Sequence, residues 1–354
     1  MKRAWWLTAF GVAALVVGGA AVGLGWLPAP SLAARAPATE AAATAPDAKA
    51  PTVCLKDKAT GPHPGMVWVP GGTFQMGDTV YGEEGPIVTA SVNGFWMDTH
   101  EVTNAEFAAF VKATGYVTQA EKPVDTKLHP GLPPDMQQPG AMVFVMPEKI
   151  DNLQNIAQWW QYRPGADWRH PGGPGTSIAG HEHYPVVAIT HEDALAYARW
   201  KGRSLPTERE WEWAARAGQT KAGQDHDQPK NANTWQGIFP VVNSEDDGYL
   251  GLAPAGCYAP NAYGLYDMFG NVWEWTADVF TARHTTAEPS QMGEMRAPET
   301  GKSYVIKGGS FLCARNYCMR YRSGAREPQE ADLAASHLGF RTVLRAPGPA
   351  DAKR

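Results

Sequence analysis

Residues 307–322 read KGGSFLCARNYCMRYR and place two cysteines, Cys313 and Cys318, five positions apart. A short strand is predicted over Val305–Gly308, so the pair follows a strand and a glycine-rich turn. In an exported protein, such a pair commonly forms a structural disulfide that closes a small loop. The same spacing also suits a redox-active pair, or a two-thiolate site for a soft metal ion such as copper(I). The spacing alone leaves all three possibilities open.

The residues around the two cysteines favour a reactive site. Tetrahedral zinc requires two further ligands, and the sequence has no second cysteine pair with zinc-binding spacing. Arg315, Arg320 and Arg322 lie beside the pair, and nearby cations stabilise a thiolate relative to a thiol. We therefore expect these arginines to lower the pKa of the thiols.

The composition of the whole chain limits the class of fold. Its 354 residues carry a formal net charge of -5, which argues against a nucleic-acid-binding protein. The 37 glycines and 29 prolines argue against a helical bundle, because helix and strand interiors tolerate neither residue well. The 14 tryptophans can bury enough apolar surface to fold the chain. These features together predict a loop-rich globular fold with short helices and strands.

Three threonines predict the starts of helices. Thr103 and Thr207 each open a capping box, and Thr190 also precedes a helical run. These helices are expected to end at Gly115, Lys201 and Gly218. Short strands are predicted at Met66–Val69, Val88–Phe95, Val186–Ile189 and Val305–Gly308, with Phe340–Leu344 closing the sheet. The long segments 118–180 and 219–265 show no clear periodicity but contain several tryptophans, so they are interpreted as packed functional loops.

The N-terminus is predicted to lie outside the folded domain. Lys2 and Arg3 precede an uncharged run over Ala4–Leu27, which is long enough to cross a bilayer as a helix. Residues 1–27 are either an uncleaved membrane anchor or a cleaved signal peptide. In both cases the protein is exported, either held at the periplasmic side of the inner membrane or secreted. An Ala/Pro-rich linker (28–51), a folded domain (52–344) and a flexible tail (345–354) follow.

Several motifs, in order along residues 62–344, resemble the formylglycine-generating enzyme (sulfatase-modifying factor) family. They are MVWVPGGTFQMG (66–77), EVTN (101–104), LPTE (205–208), GLYDM (264–268), GNVWEW (270–275), KGGS (307–310) and LGFR (338–341). The pattern G-G-S-x-x-C-x4-C-x-R-Y-R, which separates the catalytic members from other branches, is complete here. The resemblance implies an α+β fold, irregular and loop-rich, related to C-type-lectin-like folds and preceded here by one N-terminal hydrophobic helix.

The resemblance also implies an activity. Members convert the cysteine of a Cys-X-Pro-X-Arg motif in type I sulfatases to Cα-formylglycine, using dioxygen. Copper(I) would be held by the thiolates of Cys313 and Cys318, with Ser310 also in the catalytic site. The partner would be an unfolded sulfatase polypeptide, and the enzyme itself would be a monomer that binds no nucleic acid.

The resemblance assigns further sites to this chain. Two calcium sites and a substrate groove are implied. Separately from the resemblance, export and the even cysteine count predict that the two remaining cysteines pair once the active pair is set aside. The residues concerned are Asn233, Thr234, Asp247 and Tyr249 (first calcium site), Glu101, Asp267, Gly270, Val272 and Glu274 (second calcium site), Ala120, Asp125, Trp159, Trp160 and Arg320 (substrate groove), and Cys54 with Cys257 (disulfide). For the two tryptophans, core packing is an equally good interpretation.

Two different functions remain alternatives at this point. The chain could be a non-catalytic binding or scaffold member of the superfamily, with Cys313 and Cys318 joined in a plain disulfide. It could also resemble the iron-dependent sulfoxide synthases, which use a His-rich site that the histidines of this sequence do not reproduce.

Overall fold

The computed structural model describes residues 53–55, 62–127, 129, 131–223, 226–284 and 301–345. The predicted N-terminal hydrophobic helix and the Ala/Pro-rich linker lie outside these residues, as does the tail beyond Arg345. Arg345 itself, predicted to begin the flexible tail, forms an ion pair with Glu210 at 2.6 Å. Within the described ranges, no helix is both long and apolar enough to cross a membrane.

Three α-helices begin at the predicted threonine caps. They are α1 (Asn104–Thr114), α2 (His191–Trp200) and α3 (Glu208–Arg216). In each, the threonine hydroxyl accepts a hydrogen bond from the third helical residue, whose carboxylate in turn accepts one from the backbone of the cap. Helix α1 ends at Gly115 as predicted, in the left-handed conformation that favours glycine. Helix α3 ends one residue before the predicted Gly218, at Ala217.

Thirteen short strands are present among the described residues. They are β1 (Met66–Val69), β2 (Gly72–Met76), β3 (Val88–Val92), β4 (Phe95–Asp98), β5 (Gly140–Phe144), β6 (Trp160–Pro164), β7 (Gly237–Ile238), β8 (Val242–Asn243), β9 (Trp273–Val279), β10 (Ser303–Lys307), β11 (Glu327–Glu330), β12 (Leu338–Gly339) and β13 (Val343–Leu344). One sheet has the order β1-β4-β13 and another has the order β11-β10-β9-β12, while β2-β3, β5-β6 and β7-β8 are antiparallel pairs. Only β12 runs parallel to its neighbour, β9, among these pairings.

The structure corrects three strand predictions. The predicted strand Val88–Phe95 is two strands, β3 and β4, which pair with different partners. Residues Val186–Ile189 are buried but form no strand, because Ala188 adopts a φ of 55°, which extended backbone does not allow. Phe340–Leu344 does not form one closing strand, because β12 joins the four-stranded sheet and β13 joins the three-stranded one.

The two long aperiodic segments contain structure that the sequence pattern did not reveal. The β5-β6 pair lies in the first segment and the β7-β8 pair in the second. Both segments also contribute buried tryptophans, Trp159 and Trp235, which pack into one cluster with Phe239 and Phe311. The prediction of packed loops is therefore correct in outline, although short hairpins organise them.

Helix α3 connects to strand β10 through buried charges. Lys307, at the end of β10, has no exposed side-chain surface, and its Nζ donates to Glu212 at 3.0 Å. The other oxygen of Glu212 accepts from Arg216 at 2.7 Å. A buried ion pair that loses one partner leaves an uncompensated charge in the core, so these contacts fix the end of β10 relative to α3. The stretch that carries the cysteine pair starts at this fixed point.

Candidate active site

A glycine turn leads from strand β10 to the cysteine pair. Gly308 and Gly309 both have positive φ values, 95° and 75°. A Cβ atom on Gly309 would lie 3.2 Å from Sγ of Cys313 and 3.0 Å from the carbonyl oxygen of Arg320. Because both the backbone angle and the close approach favour glycine, this position lets the backbone pass directly beside the first cysteine.

The loop between the two cysteines brings their sulfur atoms together. The backbone N–H of Cys313 donates to the carbonyl of Ser310 at 2.9 Å, and that of Cys318 donates to the carbonyl of Ala314 at 3.0 Å. The two Sγ atoms are 2.7 Å apart, and both residues are buried free thiols. This separation exceeds the roughly 2.05 Å of a disulfide bond. The site therefore presents two adjacent sulfur donors.

The arginines around the pair are neutralised by carboxylates. Arg320 lies 2.6 Å from Glu83 and 3.0 Å from Glu327. Arg322 likewise forms ion pairs with two acidic side chains, those of Asp78 and Glu84. Arg315 is largely exposed and 3.7 Å from Asp227.

Burial outweighs these cations at the first thiol. Desolvation raises the pKa of Cys313 well above its usual range, and the hydrogen bond with Cys318 raises it further. The expectation that the arginines lower the pKa of this thiol is therefore wrong. A soft metal ion would have to displace the thiol protons when it binds.

Ser310 lies beside a histidine that the sequence did not single out. Ser310 is fully buried, and its Oγ is 3.5 Å from Nδ1 of His337 and accepts from the backbone N–H of Leu312 at 3.3 Å. Burial lowers the pKa of His337 to about 3, which keeps its imidazole neutral near pH 7. The His337 ring contacts Trp160 edge to face, with centroids 4.6 Å apart. His337 lies 27 residues after Ser310, immediately before the LGFR motif, and no sequence pattern links the two residues.

The five predicted groove residues have different environments. Trp159 is completely buried and packs edge-on against Tyr317, with centroids 5.7 Å apart, so it belongs to the core in this structure. Ala120 is also buried, in a separate small cluster. Asp125 is exposed, and its Oδ1 accepts from the backbone N–H of Lys127. Trp160 is half-buried against His337, and Arg320 is held between carboxylates, as described above.

The residues of the first implied calcium site lie on two loops that meet. Asp247 accepts from the backbone N–H of Thr234 at 2.9 Å and from that of Tyr249 at 3.2 Å. Asn233 is buried, and its Nδ2 donates to the carbonyl of Gly251. Burial raises the pKa of Asp247, while these backbone hydrogen bonds lower it. The four implied residues are therefore neighbours, and protein donors already bind both oxygens of the Asp247 carboxylate.

The second implied calcium site contains an excess of buried negative charge. Glu101, Asp267 and Glu274 are all buried. The Glu274 carboxylate accepts from Arg341 at 2.7 Å and from Nε1 of Trp211 at 2.9 Å. Arg341 is thus the counter-ion of Glu274.

Glu101 lacks a comparable partner in this second site. Its Oε1 accepts from Nδ2 of Asn271, while Oε2 is buried and, among the described residues, receives no hydrogen bond. Burial and the neighbouring Asp267 carboxylate raise the pKa of Glu101 well above its usual range. Burial also raises the pKa of Asp267 to about 6. An unsatisfied buried oxygen beside a second carboxylate fits a hard cation such as calcium.

Side chains alone do not complete a metal site in the described part of the chain. No group of three or more His, Cys, Asp or Glu side chains there is arranged to hold a metal ion. The implied calcium sites would also use backbone oxygens, from Thr234 and Tyr249 in the first and from Gly270 and Val272 in the second. The cysteine pair offers two side-chain ligands, both buried.

Cys54 and Cys257, the pair expected to form a disulfide, are bonded to each other in the structure. Next to this bridge, the backbone N–H of Leu55 donates to the carbonyl of Ala255 at 3.1 Å. The hydroxyl of Tyr249 lies 3.3 Å from Sγ of Cys257. The bridge therefore attaches the start of the folded domain to the loop that carries the first implied calcium site.

Comparison with known proteins finds relatives that match most of this chain. The chain is 48% identical over 289 residues to a protein of Mycobacterium tuberculosis named formylglycine-generating enzyme, and the match covers 78% of this chain and 97% of that protein. It is also 38% identical to a mouse protein named inactive C-alpha-formylglycine-generating enzyme 2, over 81% of this chain and 87% of that one. The solved structure of PvdO from Pseudomonas aeruginosa matches with a TM-score of 0.54 and 25% identity, over 78% of this chain and 93% of that chain.

The family assignment rests on most of the folded region. Residues 52–346 match the sulfatase-modifying factor enzyme 1-like domain, a range that contains both cysteines of the pair and the glycine turn before them. The similarity to PvdO agrees with the mixed, loop-rich architecture described above, while the expected relation to C-type-lectin-like folds stays a prediction. The chain belongs to the sulfatase-modifying factor enzyme 1-like family.

Proposed function

We propose that this enzyme oxidises the cysteine of a Cys-X-Pro-X-Arg motif in type I sulfatases to Cα-formylglycine, with copper(I) held by Cys313 and Cys318. The observation that carries the proposal is the pair of buried free thiols with sulfur atoms 2.7 Å apart. Two soft thiolates suit a soft monovalent ion, and two-coordination leaves a position for the substrate thiolate. The copper ion, when bound, supplies the chemistry that activates dioxygen.

The residues of the chain provide the surroundings for that chemistry. The Gly309 turn lets the backbone approach Cys313, and the core that encloses both thiols excludes bulk water from them. Ser310 and the neutral His337 place a hydroxyl and an imidazole beside the turn. We assign them to orienting the substrate backbone near the thiols.

Calcium is proposed as a structural ion at the second site. The support is the buried Oε2 of Glu101, which receives no hydrogen bond from the described residues and lies near the Asp267 carboxylate. A divalent ion there would satisfy this oxygen and offset the repulsion between the carboxylates. The first site, around Asp247, is proposed on weaker support, because protein donors already bind both of its carboxylate oxygens.

We further propose that the enzyme is exported and acts as a monomer. The support for export is the sequence of residues 1–27, with two basic residues ahead of an uncharged run. The enzyme would then meet its sulfatase substrate as an unfolded polypeptide at the periplasmic side of the inner membrane. If residues 1–27 are cleaved as a signal peptide, the enzyme would act on its substrate after secretion.

The two alternatives fit the geometry less well. A scaffold with a Cys313–Cys318 disulfide requires a bond that the structure does not form. An iron enzyme of the sulfoxide-synthase type requires a cluster of histidine and carboxylate ligands, and the described residues contain no such group.

A peptide oxidation assay tests the proposed function. Full-length protein loaded with copper(I) is incubated in air with a Cys-X-Pro-X-Arg peptide, and mass spectrometry measures the product. We expect the mass loss of a thiol converted to an aldehyde, and no reaction with a control peptide in which the Pro and Arg are exchanged for Ala. Absence of product with the copper-loaded protein would contradict the proposal.

A further inference from the structure

The β7-β8 hairpin carries an exposed apolar surface beside the candidate active site. Ile238 and Val242 are direct cross-strand partners, so their side chains share one face of the hairpin. Their exposed fractions are 62% and 50%, and that of Leu250 is 47%. Leu250 lies next to the hairpin, because its carbonyl oxygen accepts a hydrogen bond from Nδ2 of Asn243, the residue after Val242. Single exposed apolar residues are ordinary, but a contiguous group of them marks an interaction surface.

The hairpin is fastened to the loop between the two active-site cysteines. Both backbone groups of Phe239 bind the side-chain amide of Asn316: its N–H donates to Oδ1 at 3.3 Å, and its carbonyl accepts from Nδ2 at 3.2 Å. The Phe239 ring stacks on Tyr317 with centroids 4.4 Å apart and planes 10° apart. Asn316 and Tyr317 both lie between Cys313 and Cys318, so the hairpin and the cysteine loop form one unit.

A second connection fixes the orientation of the hairpin. Trp235 is completely buried, and its Nε1 donates to the carbonyl of Val242 at 2.8 Å. The backbone N–H of the same tryptophan donates to the carbonyl of Cys313 at 3.0 Å. One residue therefore bonds both to the strand that carries the exposed valine and to the first cysteine. The apolar surface is held at a fixed place relative to the thiols.

We propose that Ile238, Val242 and Leu250 form a docking surface for apolar side chains that flank the target cysteine in an unfolded polypeptide. This inference rests on the proposed function and extends it to substrate selection. An unfolded substrate exposes the apolar residues that its own core would later bury, so it offers the complementary chemistry. The hairpin is bound to the cysteine loop through Asn316 and Tyr317, which would place one extended segment near both.

The docking surface has a measurable consequence for affinity. Each methylene group that leaves water contributes about 0.8 kcal/mol, or roughly fourfold in a binding constant. Replacing Ile238 and Val242 by threonine removes apolar surface at two positions and keeps the β-branched shape that a strand favours. We therefore expect about a tenfold weaker binding of apolar-flanked peptides to the I238T/V242T variant.

Two unreactive peptides test the docking surface separately from catalysis. Both carry the motif with Ser in place of its Cys, one flanked by Leu and Val and the other by Ser, and fluorescence anisotropy measures their binding to the full-length protein. Wild type should bind the apolar-flanked peptide about tenfold more tightly, and I238T/V242T should bind the two equally. V117T is the matched control, because Val117 is 47% exposed on the segment after α1, and it should keep the wild-type preference.

The possible outcomes separate this inference from the proposed function. A wild type that binds both peptides equally, or an I238T/V242T variant that keeps the preference, overturns the docking surface even if peptide oxidation proceeds normally. If the preference for apolar flanks depends on the hairpin but the protein oxidises no peptide, the docking surface is supported and the oxidase proposal is contradicted. If the variant instead loses self-association or vesicle binding with unchanged peptide affinities, the surface serves a second copy or a membrane, and the inference is overturned.

Discussion

At the residue scale, the two sulfur atoms of the cysteine pair are adjacent and not bonded to each other, and they would move apart to hold one soft ion between them. The proposed copper(I) ion would depend on both sulfurs, because one thiolate cannot form a two-coordinate site. Alanine is the cleaner replacement here, since a serine hydroxyl at these buried positions would lack a partner.

We predict that Cys313→Ala and Cys318→Ala each abolish tight copper(I) binding while the protein stays folded. Titration against a competing copper(I) chelator measures the affinity, and circular dichroism measures melting. A structural disulfide closing so short a loop would contribute about 2 kcal/mol to stability and nothing to copper binding. Unchanged copper affinity together with a lower melting temperature would therefore support the disulfide alternative.

Burial of His191 makes the stability of the protein depend on pH. Its Nε2 pairs with the carbonyl of Thr276, and its ring stacks on Tyr304 with centroids 3.8 Å apart. Burial lowers the pKa of His191 to about 4 from an unfolded value near 6.5. Between these values the unfolded chain binds more protons than the folded one, so stability falls as pH falls from about 6.5 to about 4.

We predict that His191→Gln flattens this part of the pH profile. One unit of pKa difference corresponds to about 1.4 kcal/mol, so the wild type should lose on the order of 2 to 3 kcal/mol more than the variant between pH 7 and pH 4. Urea unfolding at several pH values gives the comparison. His170→Gln is the control, because His170 is exposed, and it should follow the wild-type profile; parallel profiles for wild type and His191→Gln would contradict the prediction.

At the scale of elements, the connections between strands and helices bring the acidic residues of the proposed second calcium site together. Glu101 lies between β4 and α1, Asp267 lies in the loop before β9, and Glu274 lies within β9. Glu274 is a poor residue for testing the site, because its replacement would also leave Arg341 buried without its ion pair. Glu101 has no such counter-ion contact among the described residues.

We predict that Glu101→Gln has opposite effects with and without calcium. In EGTA the variant should melt at a higher temperature than wild type, because the neutral amide avoids the free-energy cost of burying the Glu101 carboxyl group near Asp267. In excess calcium it should melt at a lower temperature, because wild type gains the binding energy of the ion and the variant loses a ligand. Scanning calorimetry under both conditions gives the result; the same difference between the two proteins in both conditions would count against calcium at this site.

At the scale of the whole molecule, the Cys54–Cys257 bridge joins positions 203 residues apart. Cross-linking so distant positions restricts the unfolded chain strongly, and removing a native disulfide commonly costs about 2 to 5 kcal/mol. We predict a loss near the upper end of this range for the C54S/C257S double variant, measured by denaturant unfolding.

A thiol count tests the same bridge without a mutation. Labelling in denaturant without reductant should modify Cys313 and Cys318 and leave Cys54 and Cys257 unmodified. Four labelled thiols in the freshly purified protein would show that the bridge does not form. Copper binding by C54S/C257S should remain at the wild-type level, since the bridge does not touch the cysteine pair.

The sequence by itself determined the local features whose signals are short in range. Thr103, Thr190 and Thr207 marked the helix starts correctly, because an N-cap depends only on residues within one turn. β1 and the strand before the cysteine pair were also predicted, and the motif spacing identified the family, which the comparison confirmed. These features require no knowledge of distant parts of the chain.

Only the tertiary structure decided the surroundings of those features. The raised pKa of Cys313, the contact between Ser310 and His337, and the attachment of Phe239 to Asn316 all depend on residues brought together from distant segments or on burial. The strand expected at Val186–Ile189 failed for the same reason, since packing imposes a left-handed backbone at Ala188. Burial changes the free energy of a charged group and of a backbone conformation. Burial is a property of the whole packed chain rather than of any one stretch of sequence.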